Sequence, residues 1–129
     1  MISSGTLVVP ITHVRSPSDP RRQLNKASAY LDGSFVYGND IQRSVDIRTF
    51  NGGKLRADPV NGVPRNSWGL EMAGHGHIDS SQQRLTGDPR GNENPGLLAV
   101  TGLWVLEHNR QCEELTIKFP TWDDHMLYH

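Results

Sequence analysis

The chain has 129 residues, of which 35% are hydrophobic, with 13 basic and 14 acidic side chains and a net charge of -1. That length makes one domain of ordinary size, and the balanced charge excludes a strong long-range field for nucleic acid or an anionic membrane. No run approaches the ~18 apolar residues of a membrane span, and a single cysteine, Cys112, excludes an internal disulfide while leaving the redox compartment open.

The opening "MISSGTLVVP" lacks a basic start and a long apolar run, so it does not read as a signal peptide. Residues 1–27 read as extended or irregular. "TLVVPITHV" is β-branched, but Pro10 keeps any strand there at an edge, and "RSPSDPRRQ" is a loop. "SAYLDGSFVYGND" mixes aromatics with turn residues and has no clean period. A short helix is expected from about Ile41 to Phe50, with Asn39 or Asp40 as its cap. Two Asn-Gly turns flank "GKLRA", which predicts a small hairpin, and residues 64–89 read mostly as loop.

The clearest element is a helix from Pro95 or Gly96 to about Thr116. Leu97, Leu98, Val100, Leu103, Trp104, Val105, Leu106, Cys112 and Leu115 occupy more than one of its faces, the mark of a helix buried in something large. Asp123 is expected to cap a last helix with Met126 and Leu127 on its buried side. A chain that stops so soon into a helix reads as a piece of a larger domain.

Three groups of residues carry chemistry. In "SAYLDGS", the Ser28 and Ser34 hydroxyls, the Asp32 carboxylate and the Tyr30 carbonyl are hard oxygen donors of the kind calcium takes. The alternative is an Asx-turn closing a surface loop. His125 and His129 lie one helical turn apart, and "GHGH" adds His75 and His77. Neither pair is completed at a zinc spacing, so solvated histidines are the simpler reading. His108, within the apolar helix, reads as a packing histidine bonded to a neighbour. In "GDPRGNENPG", which holds Arg90 and Glu93, two glycines and two prolines shape the backbone sharply, and such a loop before a helix can point a guanidinium into a cavity. The alternative is a surface ion pair of Arg90 with Asp88 or Glu93.

The order of these pieces carries a resemblance. "RRQLNKASAYLDGSFVYGND" resembles the R-E-Q-x-N and S-x-x-D-x-S-x-V-Y-G-S segment of the animal haem peroxidase family. "GDPRGNENPGLLAVTGLWVLEHNRQCEELTIKFPTWDDHMLY" is similar to that family's G-D-x-R-x-x-E-x-P-x-L, E-H-N-R and P-x-W-x-D run. Together these segments cover residues 21–128, with 64–85 matched least.

The resemblance implies a mainly α fold: a piece of the helical haem peroxidase domain with long irregular loops. Residues 1–129 are the middle of that domain, without the regions bearing the distal and proximal histidines. It implies haem and calcium as cofactors, hydrogen peroxide or an organic hydroperoxide with a small reducing substrate as reactants, and the rest of the peroxidase domain as partner. Arg90 matches the distal arginine, which stabilises charge on the departing peroxide oxygen. Glu93 matches the carboxylate that can be esterified to a haem methyl. Asn94 stands where some members have methionine, so no sulfonium link is expected. Ser28, Tyr30, Asp32 and Ser34 match the calcium loop, and His108 matches a helix histidine that does not bind iron. The same resemblance implies a secreted, extracellular or endomembrane-lumen setting and a role against oxidative stress. "LEHNRQC" is also close to the cyclooxygenase branch, which leaves a fatty-acid oxygenase as one alternative. A non-catalytic remnant of the fold is a second, and a small zinc protein built on His75, His77, His125 and His129 is a third.

Overall fold

The computed structural model describes residue 28 and residues 30–73 and 78–129. The edge strand expected at "TLVVPITHV", the loop at "RSPSDPRRQ" and the "GHGH" histidines lie outside the described residues.

The described chain is helical, with no β-strand among its elements. α1 covers Ser34–Tyr37, a turn of helix inside a stretch whose sequence showed no period. α2 covers Ile41–Ile47, capped by Asp40, whose carboxylate accepts from the Arg43 amide at 2.8 Å. Two short 3₁₀ turns follow, Ser80–Gln82 and Pro89–Asn92. α3 is the 24-residue helix Pro95–Lys118. Asn94 caps it by accepting from the Leu97 amide at 2.9 Å, and Pro95 fills the first position, where no amide hydrogen is needed. α4 covers Asp124–Tyr128, capped by Asp123 as the sequence predicts.

Three local expectations are corrected. α2 ends at Ile47, not near Phe50, because Arg48 turns extended (φ -83°, ψ 150°) to make an antiparallel bridge with Leu55. The hairpin around "GKLRA" is reduced to a single bridge over its first turn: the Thr49 N–H donates to the Lys54 carbonyl at 2.9 Å and the Arg56 N–H to the Ile47 carbonyl at 2.8 Å, with Gly52 and Gly53 at φ of 63° and 72°. The partner of Leu55 beyond that bridge is a side chain of α3. The Asn109 amide accepts from the Leu55 N–H at 2.8 Å and donates to the Leu55 carbonyl at 2.9 Å. One carboxamide thus does what a neighbouring strand would do. On α4, Leu127 is buried but Met126 is 49% exposed. Adjacent helical residues point about 100° apart, so only one of the two faces the core.

The second Asn-Gly turn serves a different purpose. Asp58 accepts from the amides of Val60 and Asn61, and Gly62 adopts φ 78°. This brings backbone against backbone: a Cβ on Gly102 of α3 would lie 2.1 Å from the Asn61 carbonyl oxygen. The turn therefore seats directly on the helix.

The core holds Val36, Ile47, Leu55, Met72, Leu85 and Val105, with Phe35, Tyr37, Leu70 and Tyr128 packed around it. His108 closes one side. A carbonyl can only accept, so His108 Nε2 carries the proton and donates to the Gly53 oxygen at 2.8 Å. Nδ1 then accepts from the Tyr37 hydroxyl at 3.1 Å. The rings of Tyr37, His108 and Tyr128 meet edge to face with centroids 5.4–6.1 Å apart. The packing role read for His108 is thus seen in the structure. The rest of α3 is different: Leu97, Val100, Leu103, Trp104 and Leu106 are each at least 40% exposed, so most of its apolar surface is uncovered in this chain.

Candidate active-site wall

Arg90 lies in the 3₁₀ turn Pro89–Asn92, between α1 and the start of α3. Its surroundings are fixed from both sides. Asp88 caps the turn by accepting from the Arg90 amide at 2.8 Å. The same carboxylate takes the side chain in a fork, Nε to Oδ1 at 2.9 Å and Nη2 to Oδ2 at 2.6 Å. Asn92 pins the far end of the turn: its amide accepts from the Arg84 N–H at 2.9 Å and donates to the Arg84 carbonyl at 2.8 Å. Asn92 and Asn109 therefore use one device at two places.

The Asp88 pair was the bland alternative for Arg90, and it is present. Its geometry is not that of a loose surface contact. Asp88 is the more enclosed partner, with a side chain 20% exposed. Arg90 is thereby held by one edge of its guanidinium on the rim of a cavity of about 390 Å³. Phe35, Glu93, Leu97, Val100 and Thr101 line that cavity with it. Glu93 caps the end of the turn, its amide donating to the Arg90 carbonyl at 2.9 Å, and its side chain is exposed. The proximity of Glu93 adds to the Asp88 contacts in raising the Arg90 pKa further.

Burial pushes the Asp88 carboxyl upward, but the bonds from the Arg90 side chain and amide outweigh it and leave the group below its ordinary value of 3.8. A carboxyl depressed in the folded state stabilises above its unfolded pKa and loses that contribution as pH falls through the folded value. The order of the 88–92 turn is therefore expected to be complete above about pH 4 and lost progressively below it. Amide exchange of that segment measured from pH 6 down to pH 2.5, corrected for intrinsic rates, checks this. Protection that does not change on acidification would contradict it.

The residues read as a calcium loop from the sequence gather on Asp32. Its carboxylate accepts from the Ser28 hydroxyl at 2.6 Å and from the Ser34 amide at 3.0 Å, while the Ser28 oxygen accepts from the Tyr30 amide at 3.1 Å. Hydrogen bonds from Ser28 and then Ser34 hold the Asp32 carboxyl below its ordinary value. The Asx-turn reading is thus realised in this chain, with one carboxylate and two hydroxyl-bearing side chains close together on an exposed loop. Among the described residues, no group of three or more His, Cys, Asp or Glu side chains is placed to hold a metal. His125 and His129 lie edge to face with centroids 4.5 Å apart and find no third ligand among those residues.

Sequence reasoning missed Arg43. It is 6% exposed, and its guanidinium donates to the Thr86 carbonyl at 3.0 Å and to that of Glu71. Both acceptors are distant main-chain oxygens, which leave no trace in a sequence pattern.

Helical fold, cavity and ion pair together describe one wall of a pocket. The model of the animal haem peroxidase family matches residues 5–129. The chain belongs to the animal haem peroxidase family. It is 37% identical over 111 residues to "Peroxidase" of Drosophila melanogaster, covering 84% of this chain and 16% of that one. It is 34% identical over 120 residues to "Dual oxidase 2" of Homo sapiens, covering 88% of this chain and 8% of that one. Among solved structures, Peroxidase A from Dictyostelium discoideum superposes with a TM-score of 0.75 at 30% identity, over 84% of this chain and 22% of that one. A fatty acid alpha-dioxygenase from Oryza sativa superposes with a TM-score of 0.65 at 27% identity, over 89% and 17% respectively. The chain therefore spans less than a quarter of the length of each of these relatives.

The family implies haem, and the residues present fit one wall of its site. A guanidinium, a carboxylate and an apolar surface of Phe35, Leu97 and Val100 line a single cavity. His108 is not an axial ligand in this arrangement, since both its ring nitrogens are engaged within the fold.

Proposed function

We propose that this chain is the middle segment, residues 1–129, of a haem peroxidase domain, and that Arg90 is its peroxide-side cation. The observation that carries this reading is the fork between Asp88 and Arg90 on the rim of a cavity shared with Glu93, Leu97 and Val100. Haem, when bound, supplies the redox chemistry. This chain's own contribution is electrostatic and steric. The guanidinium stays charged at any working pH, and with one edge locked on Asp88 its orientation is set before substrate arrives. Negative charge gathering on the departing oxygen of hydrogen peroxide or an organic hydroperoxide then meets a cation that need not reorganise. Leu97, Val100 and Phe35 give that face an apolar surface, which would exclude water and strengthen the interaction once the rest of the domain and haem cover it. Glu93 is positioned at the pocket edge as the carboxylate for an ester to a haem methyl. Electrons come from a small reducing substrate, and the setting is extracellular or lumenal.

The axial histidines belong to the rest of the domain. The 129-residue chain with added haemin is therefore expected to consume peroxide no faster than haemin alone, whereas a full-length protein carrying this segment takes up haem and reacts. A full-length protein that binds haem but is inert to peroxide would favour the non-catalytic remnant instead.

Calcium is the second cofactor of this reading, held by Ser28, Asp32 and Ser34 with the Tyr30 carbonyl. Asp32 is the one charged donor among them, so binding by the isolated chain is weak. In the full-length protein, Asp32→Ala is expected to lower bound calcium and haem retention together. Unchanged calcium stoichiometry by atomic absorption would remove the assignment.

A further inference from the structure

Arg43 is a cation buried on α2, and among the described residues no carboxylate is in hydrogen-bond contact with it. The nearest acid among them, the exposed Asp40, lies 3.9 Å from Nε. Burying such a charge is costly unless its donors are satisfied. Here they are spent on main chain: Nη1 on the Thr86 carbonyl at 3.0 Å, Nη2 on the Glu71 carbonyl, with the Met72 sulfur 3.3 Å from Nη1. A planar fork can hold two carbonyls at once, and an ammonium on a flexible stem cannot reproduce that geometry.

What Thr86 does with this support decides the meaning of the contact. Thr86 is 2% exposed, and its hydroxyl donates to the Asp88 carbonyl. It also lies directly under the 88–92 turn: a Cβ on Gly91 would come within 2.4 Å of Thr86 Oγ1 and 2.7 Å of its Cγ2. Displacing Thr86 therefore displaces both ends of the turn that carries Arg90.

We propose that Arg43 is a positioning residue for Arg90: it fixes the Thr86 carbonyl, Thr86 seats the 88–92 turn, and Asp88 on that turn aims the Arg90 guanidinium at the cavity. This rests on the reading of Arg90 as the peroxide-side cation, and the test separates the two. The first arm uses hydrogen exchange with mass spectrometry on the full 129-residue chain without haem. In Arg43→Lys and in Thr86→Val, the segment 86–94 is expected to exchange roughly 10-fold faster while 105–115 in α3 keeps its protection. Equal acceleration of both segments, or of neither, overturns the proposal. Where Arg43→Lys fails to fold, Thr86→Val decides. The second arm uses the haem-loaded full-length protein. Arg43→Lys is expected to slow the reaction with peroxide about 10-fold at an unchanged Soret band, and to have no further effect in an Arg90→Ala background. A slowing that persists undiminished without Arg90 means that Arg43 acts by general destabilisation, and the proposal falls. If Arg90→Ala itself reacts at the full rate, the reading of Arg90 fails on its own, and the exchange comparison alone decides whether Arg43 holds the turn.

Discussion

Arg90→Ala in the full-length protein is expected to slow the reaction with hydrogen peroxide by about 10²- to 10³-fold while haem stays bound. Removing one preorganised donor from a site of developing charge typically costs roughly 3–4 kcal/mol of transition-state stabilisation. The resting protein loses far less, since an exposed ion pair contributes on the order of 1 kcal/mol or below, and the Asp88–Arg90 pair is only partly enclosed. The two magnitudes separate the roles: a residue of structure would move stability more than rate. Arg90→Lys is expected to recover only part of the rate, because an ammonium keeps the charge but cannot take both Asp88 oxygens in a fixed plane. Stopped-flow mixing with peroxide reads both variants. A full rate in Arg90→Ala would return Arg90 to the role of a surface ion-pair residue.

Gly102→Ala is expected to destabilise the fold by roughly 2 kcal/mol, against the usual gain of a Gly→Ala change inside a helix. That gain is about 1 kcal/mol. Here the new methyl meets the Asn61 carbonyl oxygen, built at 2.1 Å, and that neighbour is main chain which cannot rotate away. Overpacking against a fixed partner costs about 3 kcal/mol at the upper end of its usual range, so the clash wins. Urea denaturation of the full-length protein measures the change. An unchanged or raised midpoint would mean that the turn does not seat on α3.

Parts of this architecture were legible in the sequence because their causes are local. Pro95 announces the start of α3, and Asp40 and Asp123 act on amides three residues ahead. The gathering of Ser28 and Ser34 on Asp32 is equally short in range. The misjudged parts depend on distant partners. The early end of α2 follows from the Arg48–Leu55 bridge, and the hairpin stays at that one bridge, the other edge of Leu55 being taken by the Asn109 side chain across 54 residues. No propensity or turn signal near "GKLRA" reports that partner. The candidate wall divides in the same way. Asp88 lies two residues from Arg90, close enough that their pairing stood in the sequence as the alternative, beside a pair with Glu93. The cavity that gives the pair its meaning needs Phe35 from α1 and Val100 from α3. Only the resemblance of the "GDPRGNE" motif to a known family brought Arg90 and Glu93 together as one site. Arg43 was out of reach of both routes, since its partners are carbonyls 28 and 43 residues away.

A crystal structure of the haem-loaded full-length protein tests the placement of this wall most directly. Arg90, still forked on Asp88, is expected on the peroxide side of the haem, with Glu93 in contact with the haem edge and Leu97 and Val100 against the same pocket. A haem seated away from the cavity between α1, the 88–92 turn and α3 would contradict the assignment of Arg90 and Glu93 together.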